Sequence, residues 1–152
     1  LDLQPGMAVL DAGCGPGRVT LPLARRTGPE GEVVALDLQA GMLERTRKKA
    51  EAAGLDNVRF LHAGLGEGKL EKNRFDRVVL VTVLGEIPDR AAAIHELFAA
   101  LKPGGILSVT EIVLDPHYKS RGYVVALAEA AGFREGAFWG NTFAYTLHVE
   151  KP

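Results

Sequence analysis

Cysteine is nearly absent. Cys14 is the only one in 152 residues, which excludes an internal disulfide and any metal site built on paired thiols. Net charge is as scarce, with 18 basic against 19 acidic residues and a formal balance of −1. That leaves no electrostatic footprint for a phosphate backbone, so nucleic acid is not the expected partner. The one basic cluster, Arg45, Arg47, Lys48 and Lys49, falls on a predicted helix and reads as its solvated face. No stretch reaches the roughly 18 consecutive apolar residues of a membrane helix, and no signal peptide opens the chain; a cytoplasmic protein without a membrane partner is expected. His62, His95 and His148 fall on strands or a helix with no ligand-spaced partner, so no metal is expected either. The chain starts at Leu1 and enters its first strand almost at once, from which an N-terminal lid segment is expected to lie outside it.

What is present is patterning. Hydrophobic residues make up 47% of the chain and charged residues 24%, enough for one domain over residues 1–152 with a sizeable core. Strand-like and helical segments alternate, as in a doubly wound α/β sheet covered on both faces. Strands are predicted at Ala8–Ala12, Glu32–Asp37, Val58–His62, Phe75–Val81 and Gly105–Glu111. Helices are predicted at Arg18–Arg26, with Pro22 in or near the first turn, and at Ala40–Ala53, stopped by Gly54. Ile94, Leu97, Phe98 and Leu101 recur at helical spacing behind a capping Asp89, and Lys102-Pro103-Gly104-Gly105 ends that helix. Ser120–Ala131 places Val124, Leu127, Ala128 and Ala131 on one face. Finally Phe133–Trp139 and Thr142–Glu150 flank a Gly140-Asn141 hairpin signal, with Phe143, Tyr145, Leu147 and Val149 alternating toward one buried side. Five strand–helix units closed by a hairpin give a mostly parallel seven-stranded sheet with an antiparallel C-terminal strand.

Residues 9–20, VLDAGCGPGRVT, form the most informative stretch: a strand passing through Asp11 into a loop with glycine at 13, 15 and 17. Alternate glycines let the backbone leave the strand sharply and approach a ligand, and the next helix opens with N–H groups toward it. The dinucleotide fingerprint G-x-G-x-x-G would require glycine at 18, where this chain has Arg18. Asp37, about 20 residues further on at the end of the second strand, is placed to accept both hydroxyl hydrogens of a ribose.

The D-x-G-x-G-x-G loop resembles motif I of the class I S-adenosylmethionine-dependent methyltransferases, and the resemblance extends through Lys102-Pro103-Gly104-Gly105 to the hairpin. Within that family the chain resembles the small-molecule enzymes of ubiquinone and menaquinone biosynthesis; the N/D-P-P-Y type motif of the amino-methylating members is missing. The resemblance implies a Rossmann-like methyltransferase fold and S-adenosyl-L-methionine as cofactor. It assigns cofactor contacts to Asp11, Gly13, Cys14, Gly15, Gly17, Asp37, Leu38, Met42, Gly64, Leu65 and Thr82. Asp11 would orient the loop and the cofactor's amino group, while Leu38 and Met42 would wall the adenosine. Cys14 reads as a small buried side chain and not a nucleophile. Gly64 stands where many members carry an acid for the adenine amino group, leaving the Gly64 and Leu65 backbone, or Glu67, to replace it.

Candidate catalytic residues are Glu86 after the fourth strand, Glu111 closing the fifth, and His117 and Tyr118 in the following proline-stiffened loop. They would act on a small-molecule methyl acceptor by in-line displacement, with a base only if the acceptor must lose a proton. Two other readings stand beside this one: a non-catalytic module that keeps the cofactor fold, and an NAD-dependent oxidoreductase, which lacks a Tyr-x-x-x-Lys pair here. Short insertions after strands four and five leave a pocket open to a large or protein-borne acceptor, or covered by a second chain as in a homodimer.

Overall fold

The computed structural model describes residues 1–152. The strands are β1 (Ala8–Ala12), β2 (Glu32–Asp37), β3 (Val58–His62), β4 (Phe75–Val81), β5 (Leu101–Ile112), β6 (Arg134–Gly140) and β7 (Ala144–Glu150). The helices are α1 (Thr20–Thr27), α2 (Ala40–Ala52), α3 (Arg90–Ala100) and α4 (Arg121–Ala130). All seven strands belong to one sheet in the order β3-β2-β1-β4-β5-β7-β6. The mostly parallel α/β sheet predicted from the alternation is therefore observed. Residues 2–64 form one compact unit, and residues 65–152 with Leu1 form another.

In the N-terminal unit β1 pairs parallel with β2, and β2 parallel with β3. Five of the six residues of β2 are buried, the near-continuous burial of a parallel strand covered on both faces. Helix α2 ends at Gly54, which takes φ +65° while the N–H of Leu55 reaches back to the Ala50 carbonyl at 2.9 Å. Helix α1 begins two residues later than predicted, leaving Pro22 within its first turn, where a missing N–H costs nothing. Asn57 closes its other end, donating from Nδ2 to the carbonyls of Ala24 and Gly28 at 2.9 and 2.8 Å.

In the C-terminal unit β4 pairs parallel with β5, while β7 lies between β5 and β6 and runs antiparallel to both. Asp89 caps α3 by accepting from the N–H of Ala92 at 2.9 Å, as its position suggested. The core gathers Phe75, Leu80, Ile94, Leu97, Leu101, Leu107 and Leu147, each at most 1% exposed. Each such side chain contributes about 1.5–3 kcal/mol of burial free energy.

Four sequence expectations need correction. The chain has four helices, not one after each of five strands: residues 63–74, between β3 and β4, form turns. Leu101 is not the last residue of the α3 stripe but the first of β5, because its ψ of 144° is already extended. Lys102-Pro103-Gly104-Gly105 consequently lies inside β5 as an irregularity in its register with β4. The backbone of Gly104 and Gly105 there pairs with Lys151 at 2.8 and 2.9 Å. Phe143 does not join the buried face of the hairpin; it sits at the turn and is 70% exposed, while Tyr145, Leu147 and Val149 are buried. The turn spans Asn141–Phe143, held by Asn141 Oδ1, which accepts from the N–H of Phe143 at 2.8 Å.

Candidate active site

The glycine loop is built inside the N-terminal unit. The N–H groups of Gly13 and Cys14 both donate to the Leu36 carbonyl of β2, at 2.8 and 2.9 Å, so the loop leaves β1 bound to the end of its neighbour. Asp37, 9% exposed, then clasps the loop: Oδ2 accepts from the N–H of Gly15 at 2.9 Å, and Oδ1 from the N–H of Gln39 at 2.8 Å. An ionised carboxylate has about four acceptor positions, so this leaves capacity for two further donors, such as vicinal hydroxyls. Thr46 on α2 holds the loop from the other side, donating to the Gly15 carbonyl at 2.8 Å, and Lys49 Nζ donates to the Pro16 carbonyl at 2.7 Å. Sequence reading missed both. Thr46 sits at helical spacing from Leu43 and Ala50 on the buried stripe of α2, a polar residue on an apolar face, and that was the available signal. Lys49 is thus tied to the loop, although Arg45, Arg47 and Lys48 are exposed as expected.

Gly17 explains the glycine requirement. It has φ +83°, and a Cβ there would lie 2.8 Å from Thr46 Cγ2 and 2.9 Å from its Oγ1. At Gly15, by contrast, a Cβ would meet nothing within 4 Å, so this part of the loop borders open space. Leu38 beside Asp37 is 67% exposed and Met42 is half-buried, an uncovered apolar edge next to the acid. The Leu38 carbonyl is held by His62 Nε2 at 2.9 Å. Gly64, also half-buried, ends this unit.

Asp11 and Cys14 are buried beneath the loop. Asp11 is 2% exposed and accepts from Thr20 Oγ1 at 2.6 Å. Burial raises its pKa to about 6, opposed by the Thr20 bond and reinforced by the charge of Asp37. A carboxyl whose folded pKa lies above its unfolded 3.8 stabilises the fold most at low pH, and loses that stabilisation as pH climbs from about 4 to about 6. Urea melts from about pH 4 to pH 7 should therefore show wild type losing about 3 kcal/mol relative to Asp11→Asn. A pH-independent difference would contradict this. Cys14 is buried, as its place in the loop suggested, and burial pushes its thiol up to about 12.

The C-terminal unit carries a second group of polar side chains, at the ends of β4 and β5. Thr82 follows β4 with φ +51°, a conformation that a β-branched residue adopts at a cost of about 1–3 kcal/mol and that clusters at functional positions. Its N–H is fixed by the Thr110 carbonyl at 2.9 Å. A single 3-10 turn, Leu84–Glu86, comes next. Within it Gly85 lies against the loop after β5: a Cβ would stand 1.9 Å from the His117 carbonyl oxygen. His117 Nδ1 is 3.9 Å from Glu86 Oε1 and 3.7 Å from Asp115 Oδ1, placing an exposed imidazole between two carboxylates. Asp115 Oδ1 also accepts from the N–H of His117 at 2.7 Å. Glu111 is 1% exposed; Oε2 accepts from the N–H of Lys119 at 2.9 Å, while Oε1 is buried with no hydrogen-bond partner. Burial raises its pKa. Tyr118 Oη donates to the Thr142 carbonyl at 3.0 Å. The structure thus places Glu86 beside His117, with Glu111 near the end of β5 and Tyr118 in the loop that follows it; nothing in the sequence signalled the Gly85 contact. Leu65, half-buried, begins this unit, and the N–H groups of Gly66 and Leu70 both donate to the Glu96 carboxylate, at 2.5 and 3.0 Å. No group of three or more His, Cys, Asp or Glu side chains is arranged to hold a metal ion.

An open α/β sheet whose first strand runs into a glycine turn, clasped by an acid at the end of the second, defines a cofactor-binding domain of the doubly wound class. Known proteins narrow this. The family profile described as "Methyltransferase domain" matches residues 3–144. The demethylmenaquinone methyltransferase of Bacillus cereus is 38% identical over 105 residues, covering 69% of this chain and 44% of that protein. The enzyme of the same name from Geobacillus stearothermophilus is 36% identical over 106 residues, 70% of this chain and 45% of its own. The chain thus spans less than half the length of these curated relatives. A solved S-adenosylmethionine-dependent methyltransferase from Aquifex aeolicus matches with TM-score 0.89 at 25% identity, over 97% of this chain and 84% of that one. The 1,6-didemethyltoxoflavin-N1-methyltransferase of Burkholderia thailandensis, solved with S-adenosylhomocysteine, shares the fold at TM-score 0.78 and 21% identity, over 97% and 72%.

The chain belongs to the methyltransferase-domain family, as a class I S-adenosylmethionine-dependent domain resembling the quinone-biosynthesis enzymes. The residues present suit S-adenosylmethionine: open space at Gly15, an acid with acceptor positions to spare, and an exposed apolar edge beside that acid.

Proposed function

We propose that the chain transfers a methyl group from S-adenosylmethionine to a small-molecule acceptor by in-line displacement. The observation that carries this reading is the Asp37 clasp on the Gly15 N–H, which holds the glycine loop open beside an acceptor-rich carboxylate. In it Asp37 takes the ribose hydroxyls, and the backbone at Gly13, Gly15 and Gly17 accommodates the carboxylate end. Leu38 and Met42 wall the adenosine, with Asp11, Cys14 and Gly64 completing the cofactor contacts of this unit. The cofactor supplies a methyl group activated on a sulfonium. Because displacement there disperses positive charge, the protein's task is alignment and water exclusion more than acid–base chemistry.

Where the acceptor must lose a proton, His117 is the group this geometry favours as base. Its Nδ1 lies 3.9 Å from Glu86 Oε1 and 3.7 Å from Asp115 Oδ1, two carboxylates placed to orient the ring. Glu86 and Asp115 are then orienting groups, and Tyr118 and Glu111 line the same loop. The names of the relatives favour a quinone-type ring compound as acceptor. A cytoplasmic setting accords with a chain in which no helix is long and apolar enough to cross a membrane. A homodimer would cover the exposed Leu114, Trp139 and Phe143.

The test is calorimetry with S-adenosylhomocysteine, followed by turnover of S-adenosylmethionine against reduced demethylmenaquinone, naphthols and amines. Binding heat together with turnover on a ring hydroxyl or carbon is expected. Absence of any heat with S-adenosylhomocysteine would overturn the reading, and heat without turnover on the panel would replace it with a non-catalytic module.

A further inference from the structure

Glu111 and Tyr145 stand directly opposite each other in the antiparallel β5–β7 register, and they are 1% and 3% exposed. Their polar ends converge on the backbone of one residue of the neighbouring loop. Glu111 Oε2 accepts from the N–H of Lys119 at 2.9 Å, and Tyr145 Oη donates to the Lys119 carbonyl at 2.6 Å. Lys119 immediately precedes Ser120, the residue that caps α4, so Lys119 is where the loop rejoins the fold. The loop has other ties. The N–H of Val113 bonds to the Phe143 carbonyl at 2.7 Å, Tyr118 Oη to that of Thr142 at 3.0 Å, and His117 abuts Gly85. Tyr118 also meets the Tyr145 ring edge-on at 6.2 Å.

Anchoring alone does not account for the chemistry of this pair. Burying a carboxyl and a phenol is costly unless both are fully paired, and Glu111 leaves Oε1 without a partner. Two apolar side chains would cover the sheet at lower cost. What the polar pair adds is a hold on the loop that can be released.

We propose that Glu111 and Tyr145 are positioning residues, a latch on the backbone N–H and carbonyl of Lys119 that sets where His117 and Tyr118 stand. This rests on the functional reading above, in which those two side chains serve the acceptor. The latch has a pH sense. Burial and the nearby Asp115 charge raise the Glu111 pKa, against the lowering effect of the Lys119 N–H and ammonium; Tyr118 and Tyr145 are the other titratable groups in its surroundings. An acid raised in the latched state contributes its hold below the ordinary carboxylate range, and loses it as pH climbs through the raised pKa.

The experiment is amide hydrogen exchange by NMR on the full chain, with His117 ring resonances and S-adenosylhomocysteine binding recorded in parallel. In wild type, protection of the Lys119 amide, corrected for intrinsic exchange, should fall as pH rises. Tyr145→Phe, which keeps the ring and removes the donor, should lower that protection about tenfold and shift the His117 resonances. Glu111→Gln keeps an acceptor and cannot ionise; it should retain protection and abolish its pH dependence, whereas Glu111→Ala should lose it. Unchanged Lys119 protection in Tyr145→Phe, unmoved His117 resonances, or a pH-independent wild type would each overturn the latch. Failure of wild type to bind S-adenosylhomocysteine would strike the functional reading instead, because binding is a property of the glycine loop, while the exchange data would still decide the latch.

Discussion

Replacing Asp37 with alanine should weaken S-adenosylmethionine binding roughly 100-fold and destabilise the protein by about 1–2 kcal/mol, since two losses coincide. The carboxylate is the partner of two backbone N–H groups, those of half-buried Gly15 and exposed Gln39, and because water can replace part of each bond their loss costs about 1–2 kcal/mol together. The same oxygens are assigned to the ribose, where hydrogen bonds to a charged group are worth about 1.5–3 kcal/mol. Calorimetric titration with S-adenosylhomocysteine and a urea melt separate the two effects. Asp37→Asn is the informative companion. It keeps one acceptor oxygen but turns an amide NH2 toward a backbone N–H, so it should recover part of the stability and little of the affinity. Full cofactor affinity in Asp37→Ala would remove the ribose assignment, whatever happened to stability.

The second large effect is expected at a residue that touches no cofactor. A Cβ on Gly85 would come within 1.9 Å of the His117 carbonyl oxygen, 2.5 Å of its Cβ and 2.7 Å of its carbonyl carbon. Backbone lies on both sides of that contact, so neither partner can swing away as a flexible side chain would. Either the 3-10 turn after β4 or the loop after β5 must move. Overpacking of this kind costs about 1–3 kcal/mol, and Gly85→Ala should lower the melting temperature by about 4–8 °C. The displacement falls on His117, held 3.7–3.9 Å from two carboxylates. Misplacing a reacting group by about 1 Å can cost roughly 100-fold in rate, so methyl transfer should fall by about that factor while S-adenosylhomocysteine binding stays intact. Wild-type turnover in Gly85→Ala would show that the loop after β5 does not serve the acceptor.

These two residues mark the limits of what the sequence showed. The place of Asp37 at the end of β2, beside the glycine loop, was legible because strand, loop and acid are local features with a fixed spacing. Gly85 was not, because its constraint comes from His117, more than thirty positions away, and no periodicity encodes a backbone contact between two loops. Thr46 lies between these cases: a hydroxyl on the buried stripe of α2 was visible, but its partner on the Gly15 carbonyl was not. The strands were legible from β-branched runs and alternation. The start of β5 was misjudged because Lys102-Pro103-Gly104-Gly105 reads as a helix stop, and only pairing with β4 and Lys151 turns it into a distorted strand. The missing helix between β3 and β4 was an extrapolation from regularity, and residues 63–74 carry no amphipathic stripe to support one.

The spatial order β5-β7-β6 also bears on how the polypeptide acquires its shape. During synthesis β5 and β6 emerge before the strand that joins them, so neither can complete its ladder until the segment after Asn141 arrives. Until then a nascent chain presents two unpaired edges, and β6 carries Phe138 and Trp139, which stay 38% and 52% exposed even in the finished fold. Such edges recruit other chains. Shortened versions ending before β7 would therefore be prone to aggregate, and the hairpin turn at Asn141, held by its own side chain, is the step on which productive closure of the sheet depends.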